Sequence, residues 1–454
     1  MKARLGLATE NDIILLTDFY ELTMAAAYFR SGRNERASFE MFVRKMPPNR
    51  GFLLAAGLET VLAFLEKARF SQEALCYLDS LKRFDDDFLS FLERFRFSGE
   101  VWAVPEGTVV FANEPLLRVS APRIEAQLVE TFVLNALNFQ TTIATKAARV
   151  VSAAAGRPVI EFGLRRAHGI DAGVKGARAA FIGGCAGTSD VLAGKIWGLP
   201  VSGTIAHSFV QSFATEQDAF RAFARTFPNN SIFLIDTYDT LAGARAAVEV
   251  AKEMEREGRR LQAVRIDSGD LASLSRAVRK ILDASGLRYV KIFASGDLNE
   301  YIIDRLVRAG APIDAFGVGT EMSTSRDAPA LNGIYKLCED EAGPRMKLSK
   351  HKVTLPGRKQ VWRRKKGGKF VGDVIGLADE RLEGEPLLER VMADGRVVGE
   401  LPTLAEIQAR AKAQLAALPA GCRRLVRPAP YPVRLSDKLK RLVRTLRSEL
   451  GVRG

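Results

Sequence analysis

From residue 158 onward, short apolar runs stop one after another in clusters of small and polar residues. Residues 159–162 precede Gly163, 232–235 precede Asp-Thr-Tyr-Asp, and 263–266 precede Asp-Ser-Gly-Asp. Residues 290–294 precede Ser-Gly-Asp, and 313–316 precede Gly-Val-Gly-Thr. Helical patterns fill the gaps. Leu271, Leu274, Val278, Ile281 and Leu282 share one helical face behind a capping Asp270, and Ile302, Ile303, Leu306 and Val307 share another, closed by Gly310. Strands recurring about every thirty residues with helices between them predict a parallel βα array. Such an array gathers the residues that follow its strands at one rim, where a single helix would scatter them. Fewer than eight repeats are legible, so the expected form is an irregular α/β barrel.

The rest of the chain lacks this regularity. Residues 12–30 suggest a helix capped by Thr17 or Asp18 that buries Leu22, Ala25, Ala26 and Phe29. A strand over 38–44, a helix over 51–67, two short strands within 102–120 about Asn113-Glu114-Pro115, and a long helix over 128–151 follow. After Lys336 come loops and short strands through 343–372, a helix over 401–418 and a basic amphipathic helix over 436–450. The expected domains are an N-terminal α/β domain (1–140), the catalytic barrel (141–340) and a small basic C-terminal region (341–454) that stands alone or completes the first.

Composition removes several function classes. With 47% hydrophobic and 26% charged residues the chain reads as a soluble globular protein. No run approaches the ~20 apolar residues of a membrane span, and residues 1–10 carry no secretory pattern, so a cytoplasmic protein is expected. Cys76, Cys185, Cys338 and Cys422 form no Cys-x-x-Cys pair, and His168, His207 and His351 are too few for an imidazole cage. The net charge of +14 raises the question of nucleic acid. The basic runs at 345–369 and 423–447 are not interleaved with regular aromatics, so solvated faces and attraction of phosphorylated substrates are expected instead.

The turns after the strands carry the chemistry. Glycines in 267–270, 295–297 and 317–320 let backbone N–H groups close on a phosphate with no Cβ in the way. Acids after earlier strands suit ribose hydroxyls, or a Mg²⁺ that keeps most of its water. His207 lies in a small-residue loop, and Asp236 ends the next apolar strand. Asp236 either holds one imidazole nitrogen, leaving the other as a nucleophile, or caps the helix before Thr240. Arg165 and Arg166 cannot both face one way along a strand, which leaves one to grip an anion. Phe162 and Tyr20 are either core residues or aromatic walls for a flat ligand.

These motifs resemble the nicotinate phosphoribosyltransferases. The matching stretches are T-D-F-Y-E-L-T-M (17–24), E-F-G-L-R-R-A-H-G (161–169), G-T-S-D (187–190) and G-T-I-A-H-S (203–208). I-D-T-Y-D (235–239), R-I-D-S-G-D (265–270), A-S-G-D-L (294–298) and F-G-V-G-T (316–320) complete the series in the family's order. The resemblance implies joining of nicotinate to 5-phosphoribosyl-1-pyrophosphate, coupled to hydrolysis of ATP as co-substrate, with Mg²⁺. It implies a homodimer with shared sites and no nucleic-acid or membrane partner. Carried over by motif, His207 is the residue phosphorylated by ATP and Asp236 orients it. Phe162 and the Tyr20 of a partner subunit sandwich the pyridine ring, Arg165 or Arg166 holds its carboxylate, and Asp190 lies near it. Arg265, Asp267, Ser268 and Gly269 bind ribose and phosphate, Gly296, Asp297, Gly317 and Gly319 surround the 5′-phosphate, and Thr204 and Thr320 also contact substrate. The cysteine-rich metal knuckle of some relatives has no counterpart in the dispersed Cys338, His351 and Cys422. Competing expectations are a nicotinamide-using transferase, disfavoured by the tandem arginines, a quinolinate-type decarboxylating transferase, and a basic binding protein on an inactive enzyme fold.

Overall fold

The computed structural model describes residues 8–349 and 352–450; His351 and residues 1–7 lie outside them. Two compact units result: Ile143–Pro329, and the residues up to Thr142 together with those from Ala330.

In the Ile143–Pro329 unit, six short parallel strands form one sheet. They are Val159–Glu161, Gly187–Thr188, Ile232–Leu234, Ala263–Ile266, Lys291–Ala294 and Ala315–Val318. Val264, Ile266, Ile292 and Val318 are wholly buried, as expected of parallel strands covered on both faces. The last strand pairs with the first, Phe316 opposite Val159 and Gly317 opposite Ile160, so the array turns back on itself. Beyond Gly187–Thr188 a single parallel bridge joins Thr188 to Val201. Among the described residues no ladder carries the sheet from there to Ile232–Leu234, and the barrel stays open at that seam.

The helices behave much as their spacing predicts. Asp270 caps Leu271–Ala284 by accepting from the N–H groups of Ala272 and Ser273. Leu271, Val278 and Leu282 are buried, whereas Leu274 and Ile281 sit at the edge of the face, half-buried. Asn299 caps Glu300–Arg308, which buries Ile303 and Leu306 and ends before Gly310 at φ +63°. The first residue of that helix, Glu300, is fully buried and pairs with Lys146 at 2.6 Å and Arg149 at 3.0 Å; Lys146 also meets Asp327 at 2.8 Å. Buried charges require such partners, because an isolated ion in this interior would be strongly destabilising.

The other unit is built on a seven-stranded antiparallel sheet in which early and late residues interleave. Arg36–Val43 lies between Gly333–Asp340 and Pro115–Pro122, and Glu100–Ala103 between Pro115–Pro122 and Glu389–Ala393. A four-stranded sheet from Lys359–Lys366, Lys369–Leu377, Glu385–Pro386 and Val433–Leu435 encloses a buried Arg363–Asp373 pair at 2.6 Å. Three local readings need correction. The helix expected over 51–67 is only Leu58–Lys67, because Gly57, at φ +106°, turns the chain there after a Leu53–Leu54 strand. The segment 102–120 contributes to three strands rather than two. Phe19–Arg30 follows Asp18, but the Asp18 carboxylate accepts from Thr131 Oγ1 at 2.7 Å and does not cap; Ala26 and Phe29 are half-buried.

None of the four cysteines forms a disulfide among the described residues. Among the described residues no helix is long and apolar enough to cross a membrane, and no cluster of three His, Cys, Asp or Glu side chains could hold a metal ion.

Candidate active site

Because the six strands are parallel, their following turns all leave the sheet at one end, the rim where barrel enzymes place their chemistry. Side-chain hydrogen bonds tie three of these turns together. Ser268 Oγ donates to Asp236 Oδ2 at 2.6 Å, and the Asp267 N–H donates to the same oxygen at 2.9 Å. Ser295 Oγ donates to Asp267 Oδ1 at 2.5 Å. From the preceding strand Arg265 reaches Thr204 Oγ1 and, at 3.4 Å, the Ile205 carbonyl, and stands 3.5 Å from Asp267 Oδ1. Burial lowers the Arg265 pKa, the carboxylates of Asp267 and Asp236 oppose that shift, and the charge of Arg165 adds to it. Arg165 thus lies within the electrostatic field of Arg265.

His207 opens the short helix His207–Gln211, and its Nδ1 lies 3.2 Å from Thr237 Oγ1. The expected bond between Asp236 and His207 is not formed among the described residues. The Asp236 carboxylate is drawn instead to the 267–268 turn, and its Oδ1 is buried without a hydrogen-bond partner among the described residues. Asp236 does not cap the next helix either. That role belongs to Asp239, which accepts from the Ala242 N–H at 2.7 Å.

The glycines serve different purposes. Gly296, at φ +90°, passes so close to Asp267 that an added Cβ would stand 1.8 Å from the Asp267 carbonyl oxygen. Asp297 beside it holds φ +45°, so two successive left-handed residues shape this turn. Gly269, at φ +78°, shapes the turn after Asp267. Gly317 lies within its strand, and its missing side chain admits the Phe162 ring, 2.7 Å from where a Cβ would be. Gly319 approaches the Phe162 carbonyl and precedes the single turn Thr320–Ser323.

Phe162 is half-buried, donates its N–H to the Val318 carbonyl at 2.9 Å and meets Phe293 edge-on at 5.7 Å. Arg165 and Arg166 are exposed on a 3-10 turn, Leu164–Arg166, so the alternation of a strand does not govern them. Asp190 is buried and caps Val191–Trp197 through the Ala193 N–H at 3.0 Å, and its Oδ2 has no hydrogen-bond partner among the described residues. Tyr20 belongs to the other unit, 46% exposed on Phe19–Arg30. Sequence reasoning passed over Thr237 and Ser295, although each stands inside a motif that it had singled out.

Known proteins resemble this chain along most of its length. Residues 15–138, 158–337 and 381–443 match, in turn, the nicotinate phosphoribosyltransferase (NAPRTase) N-terminal domain, the NAPRTase family and the C-terminal domain. The nicotinate phosphoribosyltransferase pncB2 of Mycobacterium tuberculosis is 50% identical over 429 residues, covering 94% of this chain and 92% of its own. The nicotinate phosphoribosyltransferase of Bacillus subtilis is 40% identical over 463 residues, covering 94% of each. The crystal structure of human nicotinic acid phosphoribosyltransferase aligns with a TM-score of 0.86 at 32% identity, covering 95% of this chain and 99% of that one. The chain belongs to the nicotinate phosphoribosyltransferase family.

Proposed function

We propose that this protein joins nicotinate to 5-phosphoribosyl-1-pyrophosphate, giving nicotinate mononucleotide and pyrophosphate, a step of NAD salvage. The observation that carries this reading is the bonded run Asp236–Asp267–Ser295 beside Arg265, which brings acids, a guanidinium and a glycine turn to one rim. The pyridine nitrogen attacks the anomeric carbon as its bond to pyrophosphate breaks. Positive charge develops on the sugar, as in other glycosyl transfers. The nitrogen carries no proton, so no general base is needed, and the protein's task is alignment. Phe162 supplies a wall for the ring, Arg165 the cation for its carboxylate, Arg265 a phosphate contact, Asp267 a ribose contact and Gly296 room for the 5′-phosphate.

A Mg²⁺ ion fits the donors present. No cage of protein ligands is at hand among the described residues, yet Asp236 Oδ1 is a buried carboxylate oxygen without a partner. That suits an ion held mostly by water and substrate phosphates, with Asp236 as its protein ligand. Bound there, the ion would offset charge on the pyrophosphate.

ATP coupling through His207 belongs to the same proposal. Nε2 attacks the γ-phosphorus, ADP leaves, and water later hydrolyses the phosphohistidine. For this Nε2 must bear the lone pair, which it does when Nδ1–H donates to Thr237. A homodimer in which Tyr20 of a second copy closes the pyridine site, working in the cytosol, completes the reading. The test is a transfer assay with nicotinate and nicotinamide, each with and without ATP, and mass analysis of the product. Nicotinate mononucleotide formed faster with ATP supports the proposal, and turnover of nicotinamide alone overturns it.

A further inference from the structure

Glu161 ends the first barrel strand, is 3% exposed and takes no part in the steps above. Its two carboxylate oxygens are bound on opposite sides. Oε1 accepts the N–H of Gly163, where the turn bearing Arg165 and Arg166 begins. Oε2 accepts the hydroxyl of Thr188, on the neighbouring strand, at 2.6 Å. Thr188 Oγ1 in turn accepts the N–H of Asp190 at 3.0 Å, and the Ser189 N–H donates to the Glu161 carbonyl at 2.9 Å. One buried carboxylate therefore links the turns that follow two adjacent strands. Gly163 is boxed in as well: a Cβ there would stand 2.3 Å from Ser323 Cβ and 2.7 Å from Glu161 Oε1. Burying a carboxyl group is costly unless its oxygens are bound, so these donors are what let it stay.

We propose that Glu161 is a positioning residue for the pyridine substrate. Through Gly163 on one side and Thr188 on the other, it fixes the 162–166 turn against the 189–190 turn before substrate arrives. This rests on the reading of Phe162 and Arg165 as nicotinate-binding residues. A carboxylate serving only the fold would, when altered, disturb both substrates alike.

Four variants decide it: Glu161→Gln, Thr188→Val, Thr188→Ser and the double Glu161→Gln/Thr188→Val. The first two should each raise KM for nicotinate roughly tenfold while KM for phosphoribosyl pyrophosphate stays within about twofold. Thr188→Ser keeps the hydroxyl and should behave as the parent. The double variant should be no worse than the worse single one, since both act on one relay. Equal rises for the two substrates, additive losses or failure of serine to rescue would overturn the proposal. Amide exchange gives a second readout: Thr188→Val should speed exchange at Gly163, one strand away, and unchanged exchange there also overturns the relay. Absence of nicotinate turnover in the parent protein would sink the functional reading, while the exchange experiment would still decide the linkage.

Discussion

The imidazole of His207 is held by the hydroxyl of Thr237, with Nδ1 and Oγ1 3.2 Å apart. The neighbouring carboxylate, Asp236, is bound to the Asp267 N–H and the Ser268 hydroxyl. The histidine is therefore oriented by a neutral hydroxyl rather than by the carboxylate next to it in sequence.

Thr237→Val should lower phosphate transfer from γ-labelled ATP to His207 by roughly tenfold, because the ring loses the partner that selects its tautomer. His207→Ala should abolish ATP stimulation and leave ATP-independent transfer measurable. Retained label in His207→Ala would place the phosphate elsewhere.

Arg265→Ala should reduce kcat/KM for phosphoribosyl pyrophosphate by roughly a hundredfold, the loss expected for a charged hydrogen bond of about 3 kcal/mol. Arg265→Lys should recover little, since one ammonium cannot reach Thr204, Ile205 and a phosphate together. Steady-state kinetics with each substrate varied will tell.

Glu300→Gln should destabilise the barrel unit by about 3–5 kcal/mol, because Lys146 would lose a buried partner and Arg149 its carboxylate. Urea unfolding measures this. A loss under about 1 kcal/mol would mean that the cluster lies open to water.

Glu21 carries a pH signature. Burial pushes its carboxyl up to about 7, against the pull of hydrogen bonds from Thr131 and Thr17. The folded state therefore holds a proton that the unfolded chain has released by about pH 5. The contribution of this group is greatest at low pH and is lost as pH rises toward 7, since stability falls wherever the native state binds more protons. Glu21→Gln should match the parent near pH 5 and exceed its thermal midpoint by pH 8. A difference that does not grow with pH would contradict the assignment.

How far the sequence could be read follows from what is local. The strand Ala263–Ile266 and the cap at Asp270 were legible to the residue, because buried parallel strands are unbroken apolar runs and a cap needs only its own helix. Gly187–Thr188 offered no apolar run to recognise, and Asp239 could not be told from Asp236 as a cap by spacing alone. The pairing of Phe39 with Leu337 joins segments from opposite ends of the chain, and no local pattern encodes such a partner. At the site, residue types were readable and bonding was not. The bond from Thr237, and the use of Gly317 to seat Phe162, depend on side-chain directions that only packing fixes.

The open seam of the barrel has a mechanical meaning. Between Val201 and Ile232, residues 203–230 make no backbone-to-backbone hydrogen bond to any strand among the described residues. Side chains hold the helix that begins at His207, with Phe209 set against Phe213 and Phe223. If His207 is phosphorylated as proposed, the group would be loaded and discharged without breaking a rung of the sheet. On the proposed reading, the seam left unlaced among the described residues is the stretch that carries His207, whose charge would come and go with turnover.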